Sequence, residues 1–247
     1  MMVKPMIEFE NTAVVITASM ADRALPGKPM MDVNGQPLIA RALAAAEAAK
    51  LGKVLVAAGD NNIADAVRRA GGIALVASPI AGAGNVAAAQ ILALRDEGET
   101  LRHVLVLPCS LLAIDPLDLR RCLAGLLNTD VDLATIAAYS PSPRVGQTLL
   151  AAPLEGEREV AYLRGLAAVG GETGKPALVH IPVFAWTRAK LNTFATLRPP
   201  SLEAALRPEI ERAHQSGLRC AVVKVDSEPL SVDTPQELEL LRRQLKA

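Results

Sequence analysis

The chain has 247 residues, of which 51% are hydrophobic but only 2% aromatic, so Ala, Leu and Val must build most of its interior. Its 26 basic residues equal its 26 acidic residues, which gives a formal net charge of zero. Proteins that bind nucleic acid usually carry a basic excess, so this balance argues against nucleic acid as a partner. Every apolar run is shorter than the roughly 18 to 20 residues that a membrane span requires, so we expect no membrane association.

The three cysteines are Cys109, Cys122 and Cys220, and their wide spacing matches no metal-binding motif. An odd number of widely spaced cysteines favours reduced thiols. The amino terminus also lacks the apolar segment of a secretory signal. These features predict a cytoplasmic protein.

Short apolar runs alternate with helical patterns through the first half of the chain. The predicted strands cover residues 13–18, 53–58, 73–77 and 103–107, and the predicted helices cover 37–50, 62–70, 85–97 and a segment beginning at Asp115. This order predicts a parallel sheet with helices on both faces. Ligands bind such sheets outside the carboxyl ends of the strands, so the loops 19–30, 59–62, 78–84 and 108–114 should converge on one crevice.

The second half has more strands and fewer regular alternations. Strands are predicted over 132–139, 148–152, 158–163, 177–186 and 219–225, and helices over 188–197 and 201–216. A last helix begins at Thr234, followed by Pro235 and Glu237, which is a strong start signal. No linker of low complexity separates the halves, so one domain with a mixed sheet is expected.

The loop after the first strand contains Gly27 and Lys28. A Gly allows close approach of the backbone to a ligand, and a Lys supplies a compact positive charge, so the pair suits a phosphate group. The loop is not a Walker motif. A simple surface turn is the alternative interpretation, because Pro-Gly is a common turn dipeptide.

Five segments, in order, resemble the 3-deoxy-manno-octulosonate (Kdo) cytidylyltransferases, also called CMP-Kdo synthetases: 25–29, 34–39, 132–135, 199–203 and 232–235. The resemblance extends over residues 13–245. It implies a Rossmann-like nucleotidyltransferase fold, a single three-layer α/β/α domain over 1–247 with a mixed, mostly parallel sheet. Residues 13–130 would form the nucleotide-binding half, and 131–247 the half for sugar binding and dimerisation.

The resemblance also implies a reaction. Family members join Kdo to CMP for lipopolysaccharide synthesis, using CTP and releasing pyrophosphate. The implied partners are CTP and a sugar acid, the implied cofactor is Mg²⁺, and a homodimer is the expected assembly.

The implied catalytic residues are Lys28, which would hold the triphosphate, and Asp233, which would ligate Mg²⁺ from the motif Val-Asp-Thr-Pro. The two should face each other across one cleft. Asp233 can also serve as a partner for the dipole of the last helix, and the two roles are compatible. The other implied nucleotide-binding residues are Arg23, Gly27, Gly84, Asn85 and Ser110.

The implied sugar-binding residues are Arg164, His180, Glu209 and Arg212. A cation at Arg164 suits a sugar carboxylate. A single His in a strand is more often structural, so His180 has two interpretations. Glu209 and Arg212 share a helix face and can equally form a surface ion pair.

The sequence departs from the family pattern at two arginines and one aspartate. Ser19 and Ala24 stand at the arginine positions of the first loop, where Arg23 lies one place early. Cys109 or Ser110 aligns with the aspartate that would share the metal. These departures predict weaker triphosphate binding and impaired use of the metal.

Three alternatives to a Kdo cytidylyltransferase therefore stay open. The chain can be a relative that binds a nucleotide or sugar acid without turnover. It can be a transferase for another sugar acid or nucleotide. The third alternative is a scaffold or interaction protein.

Overall fold

A ten-stranded mixed sheet forms the middle layer of the protein. The computed structural model describes residues 11–21, 25–76, 101–112, 114–144, 147–153, 159–169, 176–197 and 209–245. The strands are β1 (Thr12–Ala18), β2 (Asp32–Val33), β3 (Gln36–Pro37), β4 (Lys53–Ala58), β5 (Ile73–Val76), β6 (His103–Pro108), β7 (Leu133–Ser140), β8 (Thr148–Ala151), β9 (Val160–Tyr162), β10 (Gly165–Val169), β11 (Ala177–Thr187) and β12 (Cys220–Val225). The helices are α1 (Leu38–Ala48), α2 (Asn61–Arg69), α3 (Pro116–Leu127), α4 (Arg188–Thr196), α5 (Glu209–Gln215) and α6 (Pro235–Gln244).

The strand order brings the ends of four strands to one edge of the sheet. The strands lie in the order β5-β4-β1-β6-β11-β7-β12-β9, while β8 pairs with β11 and β10. The first four are parallel to one another. β11 is antiparallel to β6 and to β7, and β12 is parallel to β7. Consequently β1, β6, β7 and β12 all end at the same edge of the sheet.

Helices cover both faces of the sheet, as strands with alternating buried side chains require. Ile16 of β1 packs in a core with residues of α1, α2, α3 and α6. Its neighbour Val15 points to the other face, where Phe194 of α4 and Ile210 of α5 form a second core around Trp186. The predicted three-layer α/β/α arrangement is confirmed.

Most predicted elements are present with bounds shifted by a residue or two. The hairpin of β2 and β3 was missed, although Asn34 and Gly35, with φ of 51° and 84°, form the Asn-Gly turn typical of hairpins. Strand β10 was also missed. The predicted helix 85–97 and residues 201–208 of the predicted helix 201–216 lie outside the described residues.

None of the helices in the described ranges combines the length and the apolar composition needed to cross a membrane. All three cysteines are buried and none of them forms a disulfide, as the sequence predicts.

The close contact between α3 and β12 gives a test of the packing. A Cβ added at Gly125, inside α3, would overlap Cγ2 of Val223. Gly→Ala inside a helix normally stabilises by about 1 kcal/mol. Here we expect Gly125→Ala to lower the free energy of unfolding by about 1–3 kcal/mol, because Val223 has little rotamer freedom to move away.

Urea denaturation measures this change. The matched control is Gly125→Ala combined with Val223→Ala, in which the added methyl has room. The double variant should lose less stability than the sum of the losses of the two single variants. A Gly125→Ala variant that is more stable than the unmodified protein would contradict the packing described.

Candidate active site

An ion pair between Lys28 and Asp233 lies at the edge where β1 and β12 end. Nζ of Lys28 is 2.8 Å from Oδ1 of Asp233, the distance of a charge-assisted hydrogen bond. The Lys28 side chain is only 7% exposed, whereas the Asp233 side chain is 52% exposed. The two residues are 205 positions apart in the sequence, so tertiary structure alone brings them together. The two residues that were predicted to face each other across a cleft are thus in direct contact.

A tight turn places Lys28. Gly27 has φ of 75°, in the left-handed region that favours glycine, and its N–H donates to the carbonyl of Met20 at 3.0 Å. The N–H of Lys28 then donates to the carbonyl of Leu25 at 3.1 Å. This geometry turns the lysine inward, which a flexible surface turn would not do.

The segment after β12 is joined to the loop after β6. Leu111 and Ser231 form an isolated antiparallel bridge. Next to it, the N–H of Val232 donates to the carbonyl of Ser110 at 3.1 Å. The bridge holds the Cys109–Ser110 loop beside Asp233.

A cavity of about 160 Å³ lies at this edge and is lined by Thr17, Ser19, Ala21, Lys28, Pro108, Cys109 and Ser110. Its walls are tied together by the N–H of Cys109, which donates to the carbonyl of Thr17 at 3.0 Å. The wall offers hydroxyl groups and one ammonium group. Such a lining suits an anionic ligand.

The hydroxyl of Thr17 makes no hydrogen bond to any residue that the structure describes. Thr17 is 6% exposed and lines the cavity. A buried hydroxyl without a partner costs free energy, which a ligand with acceptor oxygens would recover. Thr17 carries no signal in the sequence, because a threonine in an apolar run is ordinary for a strand.

Ser231 holds the carboxylate of Asp233, and Glu237 holds its main chain. The hydroxyl of Ser231 donates to Oδ2 of Asp233 at 2.6 Å. The main-chain N–H of Asp233 donates to Oε2 of Glu237 at 2.9 Å, and Arg144 donates to Oε1 of Glu237 at 3.0 Å. The capping sequence of α6 was a visible signal for Glu237, whereas no local pattern pointed to Arg144.

His180 lies on β11 opposite Ala137 of β7, towards the same edge of the sheet. Its Nε2 is 2.9 Å from Oγ1 of Thr135, and its ring lies 5.3 Å from that of Phe184. Burial lowers the pKa of the His180 imidazole to about 3. The ring is therefore neutral at physiological pH and interacts through hydrogen bonds rather than as a cation.

Comparison with known proteins places the chain in a family. Residues 13–228 match the MobA-like NTP transferase domain family. A 3-deoxy-manno-octulosonate cytidylyltransferase of Afipia carboxidovorans is 36% identical over 239 residues, which cover 94% of this chain and 96% of that protein. A protein of the same name from Rhizobium etli is 32% identical and covers 97% of each chain. The chain belongs to the 3-deoxy-manno-octulosonate cytidylyltransferase family.

Solved structures agree on the fold. The structure of CMP:2-keto-3-deoxy-manno-octonic acid synthetase complexed with CTP has a TM-score of 0.80 and 21% identity, and covers 96% of this chain and 99% of that chain. HddC from Yersinia pseudotuberculosis has a TM-score of 0.67 and 11% identity, and covers 94% of this chain and 99% of that chain. The fold predicted from the family resemblance is confirmed.

Family membership does not by itself assign the remaining residues. Arg23, Gly84 and Asn85 lie outside the described residues, so their nucleotide contacts stay predictions. Gly27 and Ser110 do lie at the candidate site, the first in the turn before Lys28 and the second in the cavity wall.

Two predicted sugar-binding cations lie away from the ion pair. The guanidinium carbon of Arg212 is 4.1 Å from the centroid of the Phe194 ring, in the core on the α4–α5 face. Arg164 follows β9, and Tyr162 of β9 pairs near the start of β12. Asp233, in contrast, comes after the end of β12. Glu209 is the first residue of α5. Sugar contacts by these residues stay predictions, and Arg212 has a clear packing role.

Magnesium was expected at Asp233. Nucleotidyltransferases of this family typically use a divalent metal. Within the described ranges, no group of three or more His, Cys, Asp or Glu side chains is placed to hold a metal ion. Magnesium is often bound by one or two carboxylates together with waters and substrate phosphates, so a half-exposed Asp233 beside hydroxyl groups fits it.

The unequal burial of the ion pair predicts unequal effects of removing its two partners. Asp233→Asn leaves a buried ammonium group facing a neutral amide, so we expect the free energy of unfolding to fall by about 1–3 kcal/mol. Lys28→Met removes the buried charge and leaves a carboxylate that water can reach, so we expect a loss below about 1 kcal/mol.

Urea denaturation of both variants at neutral pH measures the difference. Equal losses would contradict the assignment of Lys28 as the desolvated partner. A Ser231→Ala variant, which keeps both charges, serves as the control.

Proposed function

We propose that the protein is a cytidylyltransferase that transfers the CMP group of CTP to Kdo, giving CMP-Kdo and pyrophosphate. The observation that carries this proposal is the Lys28–Asp233 pair beside a cavity of hydroxyl groups, in a chain with a family relative at 36% identity over nearly its whole length. In this reaction an oxygen of a sugar hydroxyl attacks the α-phosphorus of CTP. The bond from the α-phosphorus to the bridging oxygen breaks, and pyrophosphate leaves.

Lys28 acts on the triphosphate. In the free protein its ammonium pairs with Oδ1 of Asp233. Incoming phosphate oxygens offer it a stronger anionic partner, so Lys28 exchanges the carboxylate for a phosphate and frees Oδ1. Ser231 keeps hold of Oδ2 throughout. The hydroxyls of Thr17 and Ser110 complete the wall around the phosphates.

Asp233 is the residue that would hold magnesium, with substrate phosphates and water as the other ligands. Bound there, the metal would neutralise phosphate charge and make the α-phosphorus easier to attack. Glu237 and Arg144 fix the main chain at Asp233, so the carboxylate is positioned before substrate arrives. The expectation of impaired metal use at Cys109 and Ser110 has no support from the comparisons.

The second half of the chain is the proposed sugar side. Its support is His180, a partly exposed neutral side chain at the same edge of the sheet. We also propose that residues 131–247 carry a homodimer contact, because Tyr139, Val160 and Tyr162 are exposed there. Residues 13–130 would bind the nucleotide. A cytoplasmic location stays a prediction.

Pyrophosphate release tests the function. With CTP, Kdo and Mg²⁺ we expect turnover by the unmodified protein and a loss of roughly 10²–10³-fold in Asp233→Asn, since a preorganised charge is removed. Asp226→Asn is the matched control, because Asp226 lies shortly after β12 but pairs with Arg121 away from the cavity. It should retain turnover.

Other outcomes identify the alternatives. CTP binding by calorimetry without turnover would indicate a relative that only binds its ligands. Turnover with another nucleotide or another sugar acid, such as sialic acid, would indicate a different transferase. Failure both to bind CTP and to release pyrophosphate would reject the proposal.

Two threonines of β1 give a sharper test of the nucleotide site. Thr12 and Thr17 are both buried, and neither hydroxyl finds a partner among the described residues, but Thr17 alone lines the cavity. Both Thr→Val changes should leave stability unchanged or slightly raised, because an unsatisfied polar group is lost. Only Thr17→Val should weaken CTP binding, by about tenfold, since one hydrogen bond to a charged ligand disappears.

Calorimetry with CTP measures both affinities. Equal CTP affinities for the two variants would show that Thr17 does not contact CTP. Thr17→Ser, which keeps the hydroxyl, should restore most of the affinity.

A further inference from the structure

A β-bulge in β11 lies beside Thr135 of the neighbouring strand β7. Opposite β7, the pairing of β11 shifts between Ile181 and Phe184, so that the partner of Phe184 is Thr135 and the partner of Ile181 is Ile136. The carbonyl of Val183 lies within this bulge. Oγ1 of Thr135, which is fully buried, is 2.7 Å from that carbonyl oxygen and 3.4 Å from the carbonyl oxygen of Ile181.

The same oxygen atom also touches His180, at 2.9 Å from Nε2. A threonine hydroxyl has a single proton, and a backbone carbonyl can only accept a hydrogen bond. The short contact with Val183 therefore uses the hydroxyl proton. What remains on Oγ1 is acceptor capacity, so Nε2 of His180 must be the donor.

A neutral imidazole has one N–H and one bare nitrogen. Since burial keeps His180 neutral over the physiological range, a proton on Nε2 leaves Nδ1 as an acceptor. An acceptor nitrogen attracts a hydroxyl donor and repels a carboxylate. This chemistry differs from that of an arginine or a protonated histidine at the same position.

We propose that Thr135 is a positioning residue that fixes His180 as the Nε2–H tautomer, so that Nδ1 accepts a hydrogen bond from a hydroxyl group of the sugar acid. The part that concerns the sugar rests on the proposed function. The tautomer itself does not, because Thr135, His180 and Val183 are in contact without any ligand. In the sequence, Thr135 stands out only as part of the segment 132–135 that resembles the family.

Nitrogen-15 NMR of the imidazole rings reads the tautomer directly in the unliganded protein. The chain has only 3 histidines, so His180 can be assigned with His103→Gln and His214→Gln variants. We expect a protonated Nε2 and a bare Nδ1 in the unmodified protein and in Thr135→Ser. Thr135→Val, which has the same shape but no hydroxyl, should lose the preference for this tautomer. A protonated Nδ1 in the unmodified protein overturns the proposal without any variant.

Kinetics test the contact with the sugar. Thr135→Val should raise KM for the sugar acid by roughly three- to tenfold, the effect of one weakened hydrogen bond, and leave KM for CTP unchanged. Thr12→Val is the matched control and should change neither value. With an analogue that lacks the contacted hydroxyl, Thr135→Val and the unmodified protein should have the same KM.

The tautomer of His180 and its contact with the sugar are tested separately. If no sugar acid is turned over, the proposed function fails while the NMR result still decides the tautomer. If turnover is normal but Thr135→Val raises KM equally for every deoxy analogue of the sugar, the hydroxyl contact is wrong. If Thr135→Val does not fold, the tautomer is decided on the unmodified protein and the sugar contact on the deoxy analogues, one of which must show a raised KM.

Discussion

A buried ammonium group needs a partner, and this requirement organises the site. Lys28 is turned inward by a glycine with positive φ, and a charge that loses its water shell is costly unless an opposite charge compensates. Asp233 supplies that charge from the other end of the chain. About half of the Asp233 side chain is exposed to water, whereas the Lys28 side chain is buried. The carboxylate of Asp233 is therefore the part of the pair that solvent can reach.

The cavity wall beside this pair consists mostly of neutral side chains. The chain as a whole has no net charge, and the cavity wall contributes hydroxyl groups where the family pattern has arginine and aspartate positions. Hydroxyls can donate to phosphate oxygens and accept from water or protein groups, so they adapt to a ligand without repelling the metal. Ligand recognition then depends on the placement of groups rather than on a long-range field.

The sequence was most informative where local chemistry dominates. Most strands of the sheet were predicted from their apolar runs, and α6 from its threonine, proline and glutamate. Lys28 and Asp233 were found through family motifs. The sequence could not reveal contacts that form only in the folded chain. Arg144 contacts Glu237, which is 93 positions away in the sequence, and Arg212 packs on the ring of Phe194. Neither contact can be seen in the local sequence around the arginine.

The great sequence separation of the ion pair also has a consequence for biosynthesis. Lys28 leaves the ribosome long before Asp233 does, and domains begin to fold during synthesis. Until the last segment docks along the loop after β6, Lys28 lacks the carboxylate of Asp233 that it contacts in the folded chain. The ion pair at the edge of the sheet is thus completed only by one of the last segments of the chain to be made.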